Sequence, residues 1–507
     1  MVTKIDSNVT GLAFAEETTP KVLPGSPTWY ALEPNSYNEF GGEISSVARA
    51  PINVSRQRKR GTTTDLDVSG GFNHDITQNN LTRLFQGFMF ANYHEKADTA
   101  SFGSAAVVIT AVDGTNDQYE AASGLDVFRA GDIILASGFT TAANNGIKVL
   151  DSVAAGAIDT VEDLTTEASP PAAARVQAVG FQFASGDATM TVASGVATLG
   201  ATSKNLTQLG FQVGEWVFIG GDSSGLKFAT CPVGYARVKS VSTTAIVFDK
   251  VTAAFVTDTG TGKTLQIFFG KFLRNESVAA SIITRTYNIE RQLGNDGSGV
   301  QSEYLEGAVA NELTINIPQT DKLNADLSFV ALNNAFQTGA TGIKSGTRVA
   351  ALGESPFNTS SNVYRAKMNI IDAATLQPTA LFAYVTEANI SIKNNASLSK
   401  AVGVVGGFGV TVGDFEVGGN IEAYFADTTA VSAVRNNSDV TFDIILAKSN
   451  AGMVYDIPMM GLGGGRLNVE KDAAIKLPLE TLAAEGTTGY TLGINVFPYL
   501  PTAAMPA

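Results

Sequence analysis

Residues 415–425 read Phe-Glu-Val-Gly-Gly-Asn-Ile-Glu-Ala-Tyr-Phe. In an extended chain Phe415, Val417, Gly419, Ile421, Ala423 and Phe425 share one face. Glu416, Gly418, Asn420, Glu422 and Tyr424 share the other. Side chains alternate across a strand, so this pattern predicts a β-strand with one buried and one polar face. The same period recurs elsewhere. Leu313, Ile315 and Ile317 alternate with Glu312, Thr314 and Asn316, and Leu323–Ala331 alternates in the same way. Val440, Phe442, Ile444 and Leu446 alternate with Thr441 and Asp443. Short runs of this kind, punctuated by 51 glycines, predict a mainly β chain built of antiparallel sheets. One segment follows a different period. Leu81, Leu84, Phe85 and Phe88 recur at helical spacing behind Asp75 and Gln78, a loose capping box. They predict one helix, from about residue 78 to 90, packed on a sheet.

The middle of the chain repeats itself. Leu125–Gly138 and Leu209–Gly221 align with Gly131-Asp132 over Gly214-Glu215. Downstream, Lys148–Val153 aligns with Ala236–Val241, and each copy offers a further strand near 157–161 and 245–248. A glycine turn, an acidic residue and three apolar strands suit a small β module, and duplication explains two of them. Pro170-Pro171 and the alanines after them suit a linker. The expected division is a first core segment 1–100, module one at 101–184, module two at 185–272 and a second core segment 273–507. The flanks then form one discontinuous domain, and its core is expected to fold without the modules.

Composition narrows the function. Of 507 residues, 44% are hydrophobic and only 16% charged, which argues against disorder and for a surface that becomes covered. The net charge of −14 predicts no broad basic face for nucleic acid. A single cysteine, Cys231, excludes an internal disulfide, and two histidines, His74 and His94, leave little for metal or triad chemistry. Residues 1–15 carry no apolar run of the secretory kind, and Ala401–Val412 is too short to span a bilayer. Gly262-Lys263-Thr264 lacks the first glycine of a phosphate loop. Gly221–Gly225 matches the letters of a nucleophile elbow, with both histidines upstream and no helical pattern after it. Both read as turns, and Gly406–Gly409 and Gly461–Gly465 as turns or flexible arms. No catalytic, cofactor or metal residue is expected. The one dense basic run is Arg56, Arg58, Lys59 and Arg60, broken only by Gln57. It reads as a nucleic-acid patch, an arm that pairs with an acidic neighbouring subunit, or a solvated loop. Whole-chain acidity disfavours the first.

Several stretches resemble the major tail tube proteins of siphophages, the long, non-contractile-tailed bacteriophages. They are Asp67–Ala91, Val385–Asn395, Asp414–Asp427 and Asp439–Pro501, with Tyr287–Arg291 and Tyr304–Gly307 between them. The size and the inserted modules are similar to the chi-like members. The likeness covers the flanks, and 101–272 departs from the minimal pattern. The resemblance implies a structural virion protein with no enzymatic activity or cofactor. It implies a β-sandwich core that closes into a barrel-like tube of stacked hexameric rings. Its partners would be itself, the tail terminator, the tape measure and distal tail proteins, with no membrane. Double-stranded DNA would pass through an acidic lumen, for which Glu416 and Glu422 are the candidate wall residues. The subunit would be made in the host bacterial cytoplasm and end in the virion tail. A cell-surface β-repeat protein, an adhesin or surface-layer subunit, is the alternative; an enzyme would need a carboxylate pair and aromatic platforms in one cleft.

Overall fold

The computed structural model describes residues 5, 10–52, 54, 57–100, 106–295, 299–371, 376, 380–382 and 384–506. The first flank carries β1 (Gly11–Glu16), β2 (Thr28–Leu32), β3 (Ser36–Arg49) and β4 (Lys59–Asp75), then helix α1 (Thr82–Met89). The first repeat copy carries β5 (Ile109–Asp113), β6 (Gln118–Ala121), β7 (Asp132–Ser137), β8 (Gly146–Val153), β9 (Ala157–Thr160) and β10 (Arg175–Gln182). The second carries β11 (Ala188–Ala193), β12 (Val196–Ala201), β13 (Trp216–Ile219), β14 (Gly234–Val241), β15 (Ala245–Val251) and β16 (Gln266–Phe268). The second flank continues with β17 (Lys271–Arg274), β18 (Tyr287–Asn295), β19 (Val300–Ile317), β20 (Asn324–Val330), β21 (Asn333–Gly339), β22 (Thr347–Val349), β23 (Val363–Ile370) and β24 (Val385–Lys393). It closes with β25 (Ser397–Ser399), β26 (Gly409–Thr411), β27 (Glu416–Tyr424), helix α2 (Thr429–Arg435), β28 (Val440–Lys448), β29 (Ala451–Gly464), β30 (Lys476–Ala483) and β31 (Gly493–Phe497).

The chain is mainly β, and its flanks wrap a large apolar cluster. Strand β19 belongs to two layers. Its first half pairs with β18 and β21, and its second half with β20 and β24. The turn between halves falls at Gly307, where φ is +64° and a Cβ would come within 2.8 Å of Leu332, so only glycine fits without strain. On one side the ladder runs β19–β18–β1–β2. On the other it runs β3–β4–β20–β19–β24–β27–β30–β29–β28–β23, with β31 joining the first half of β29 and β17 pairing with β31 in turn. Phe72, Phe85, Phe88, Tyr287, Leu313, Ile315 and Phe329 fill the space between.

Helix α1 is shorter than its apolar spacing predicts. Asp75 ends β4 instead of capping the helix, and its carboxylate is taken by Lys322 and Asn35. The Glu354 carboxylate accepts from the Thr77 hydroxyl and the Asn79 amide, which holds residues 77–80 in a turn ahead of the first helical residue. A second helix, α2, was not foreseen: it buries only Ala430 and Ala433, too small a stripe to stand out. Gly461–Gly464 lies within β29, paired with Leu479–Leu482, and is not the turn or arm that its composition suggested.

The two repeat copies fold alike. All five pairings are the same: β5–β6–β9–β8–β7–β10 in copy one matches β11–β12–β15–β14–β13–β16 in copy two. Gly131 and Gly214 share a positive φ, 89° and 90°, and their amides donate to the aligned carbonyls of Leu150 and Val238. Antiparallel pairing of β10 with β16 joins the copies into one 12-stranded sheet. A second apolar cluster, from Ala97 to Phe269 apart from Leu376, lies within this region.

Candidate functional site

Beyond the edge of the sandwich, β3 and β4 continue as a two-stranded arm. The register holds from Ser36↔Asn73 to Arg49↔Lys59, shifting at three places. Residues 42–49 alone extend roughly 25 Å at the usual strand rise. The arm buries little: Ile44 and Val47 are 64% and 60% exposed, and Ile52 and Val54 at its tip are fully so. Arg58, Lys59 and Arg60 sit at that tip, all exposed, and form no ion pair among the described residues. Arg56 lies outside the described residues. Lys400 braces the arm's root by pairing with Asp65 and Asp67. An isolated ribbon of this length is marginal in water, and exposed apolar residues on it ask for a cover.

The second surface is the polar face of the sheet running β4–β20–β19–β24–β27–β30. Its apolar face supplies Leu327, Leu313, Ile390, Val417, Ile421 and Leu479 to the core. Its other face presents Asp75, Asp326, Glu312, Glu387, Glu416, Glu422 and Glu480, against Lys322, Lys393 and Lys476. Carboxylates outnumber lysines there. Glu416 is exposed and stands opposite Lys393. Glu422 is half-buried: the Lys476 ammonium 2.5 Å away, with help from the Thr386 hydroxyl, holds its carboxyl below the usual range. An amide ladder crosses the same face. The Asn73 amide donates to Asn324 and Asp326, and so does the Asn316 amide.

A third arrangement fixes the repeat copies on the core. Trp216, Phe218, Tyr235 and Phe268 pack with Ile445, Val454, Phe497 and Leu500 in a cluster of their own. Charges are buried in this seam. Arg237 lies 3.2 Å from Asp456 and 2.9 Å from Asp249, and the Tyr490 hydroxyl donates to Asp456 at 2.8 Å. Lys250 and Arg365 both pair with Asp443. Burial alone would raise the Asp443 carboxyl; the two cations outweigh it and hold the group below its ordinary value. Lys96 pairs with Glu215 at 3.0 Å, both buried. Such pairs add little net stability, but losing one partner strands a charge in a dry seam, so they fix the register of docking.

A protein-family model described as Phage tail tube protein matches residues 7–207 and 241–483. The chain belongs to that family. No curated protein matches it. The tail tube family is structural and not an enzyme family, so this tail tube protein is a virion tail component that assembles with itself and with other tail proteins. Among the described residues no helix is long and apolar enough to cross a membrane. The match spans the first repeat copy and resumes in the second, leaving out 208–240.

The motifs weighed for chemistry lie in turns of the tail tube chain. Gly221–Gly225 lies in the β13–β14 connection, where Gly221 donates to the Leu226 carbonyl, and Gly262–Thr264 lies between β15 and β16. His94 pairs with Glu276 at 2.8 Å, and His74 is buried with Nδ1 2.7 Å from the Asp75 carbonyl. Sequence reasoning missed the seam. Asp443 and Thr441 were read as the polar, open face of β28, yet both are buried, because the repeat copies cover that face. The signal was present in Ile445 and Ala447, which interrupt the polar half of the alternation.

Proposed function

We propose that this chain is the major tail tube subunit of a siphophage of the chi-like kind. It forms hexameric rings that stack into a tube, and phage DNA passes from capsid to host through the lumen. The acidic excess on the β4–β20–β19–β24–β27–β30 face carries the reading. A curved sheet of that width suits a channel wall, and carboxylates repel phosphates over about 8 Å at physiological salt. Lysines in excess would instead release counterions from DNA and hold it. Glu416 and Glu422 are assigned to the lumen, with Lys476 offsetting the charge of Glu422. The arm with Arg56, Arg58, Lys59 and Arg60 reaches a neighbouring subunit, which covers its exposed isoleucines and valines. The repeat copies, 101–184 and 185–272, stand outside the tube. The subunit is made in the host bacterial cytoplasm. Tail terminator, tape measure and distal tail proteins bound the tube and fill it before DNA does.

Electron microscopy of the purified protein across a concentration series tests the reading, with six-fold rings or tubes as the expected result. Monomers at every concentration would sink it. The lumen is tested by Glu416→Lys with Glu422→Lys: tubes should form and DNA ejection should slow. A map that puts both side chains on the outer surface refutes the lumen assignment alone.

A further inference from the structure

The two repeat copies are covered unequally. With Gly131 aligned on Gly214, Leu135 of β7 is the counterpart of Phe218 of β13, and Ser137 of Gly220. The strand partners correspond too, since Leu135 pairs with Gln177 and Phe218 with Phe268. On the second copy the chain covers these places itself. Phe218 is wholly buried, Tyr499 packs 5.8 Å from Phe268, and the Tyr235 hydroxyl donates to the Ala504 carbonyl at 3.0 Å. The amides of Thr502 and Ala503 donate to the Asp222 carboxylate just beyond Gly220. Residues 497–504, from the last residue of β31 onward, therefore lie over this face, with Leu500 fully buried.

On the first copy Leu135 is only half-buried, Ser137 is exposed, and both border an open cleft of about 1090 Å³. Arg175 and Gln177 of β10 line the same side, and α1 with Tyr30 and Leu352 closes the other. Its charges balance: Arg83, Arg175 and Lys271 against Glu95, Asp98 and Glu354. A balanced, half-apolar cleft suits polypeptide and not a phosphate polymer. We infer that this cleft receives a segment of a second copy of the chain, laid on the first repeat copy as residues 497–504 are laid on the second. The inference rests on the tube reading, which supplies the second copy.

The test is Ser137→Cys carrying a benzophenone label; the native thiol, Cys231, is 4% exposed and escapes labelling in the folded protein. Irradiation of assembled tubes should give covalently joined subunits, absent from dilute monomer. Ser137→Trp with Gln177→Trp, which fills the cleft, should abolish assembly with monomer melting unchanged. Tubes that form with the label in place but give no joined subunits, or normal assembly of the filled variant, overturn the inference and leave the tube reading standing. Failure of the unsubstituted chain to assemble defeats both.

Discussion

Asp132 and Glu215 occupy aligned places in the two repeat copies, and each accepts from a backbone amide three residues upstream, Arg129 and Gln212. Their company differs. Glu215 has Lys96, whereas Asp132 is buried with Arg129 and Lys204 only nearby, and burial pushes its carboxyl up to about 6. A folded-state value above the unfolded one means that folding favours the protonated form. The penalty is absent below about pH 4, grows as pH rises, and is full above 6, at up to about 3 kcal/mol. Asp132→Asn keeps the acceptor oxygen and should raise stability at pH 8, with the gain gone at pH 4; denaturant melts at both pH values check it. Asp258 shows the opposite sign. Burial would raise it, but hydrogen bonds from Thr230, Gly260 and Cys231 prevail and hold it down to about 2, so its contribution is lost as pH falls from 4 to 2. At the seam, Lys250→Met strands Asp443 with Arg365 alone and should destabilise the protein by about 3 kcal/mol, read by urea unfolding. None of these partners was legible in sequence. Gly-Asp and Gly-Glu mark the aligned turns, but the residues that meet them come from distant strands.

Among the elements, those with strict alternation and one open face were the most legible. In β27 the structure buries Val417, Ile421 and Ala423 and leaves Glu416 and Asn420 exposed, as residues 415–425 predict. Strand β28 has the same alternation but no open face, because period two reports which residues share a face and not what lies against it. The arm was legible only as a basic run. Its length comes from the pairing of Ser36–Arg49 with Lys59–Asp75, and the sequence between 36 and 66 has too few apolar residues to announce a strand. Replacing Arg56, Arg58, Lys59 and Arg60 with serine should slow tube growth and weaken its salt dependence, with monomer melting unchanged. Light scattering at two ionic strengths checks this, and unaltered growth would make the run a solvated tip. Each exposed pair contributes only about 0–1 kcal/mol, so the effect depends on repetition along the tube.

Seen whole, the molecule is a core interrupted by a repeat that it then grips. The sequence showed the duplication and the family but not the grip, since Trp216, Tyr235 and Arg237 carry no mark that says which surface they face. The seam alters the expectation that the core folds without 101–272. Deleting that stretch would bare Ile445, Val454, Phe497 and Leu500, each worth about 1.5–3 kcal/mol when buried, and would leave Asp443 and Asp456 without Lys250 and Arg237. The deletion product should aggregate or lose cooperative melting, which calorimetry and light scattering check. The same interruption sets a timetable for synthesis. The second apolar cluster draws nearly all its members from residues 97–269 and has them once that stretch has left the ribosome, while β4 must wait for β20, 249 residues later from Asp75 to Asn324, and Gln78 for the carbonyl of Phe497. At about 5–20 residues per second that delay lasts on the order of tens of seconds. A nascent subunit thus carries a finished repeat beside a core that stays unclosed until translation is nearly done.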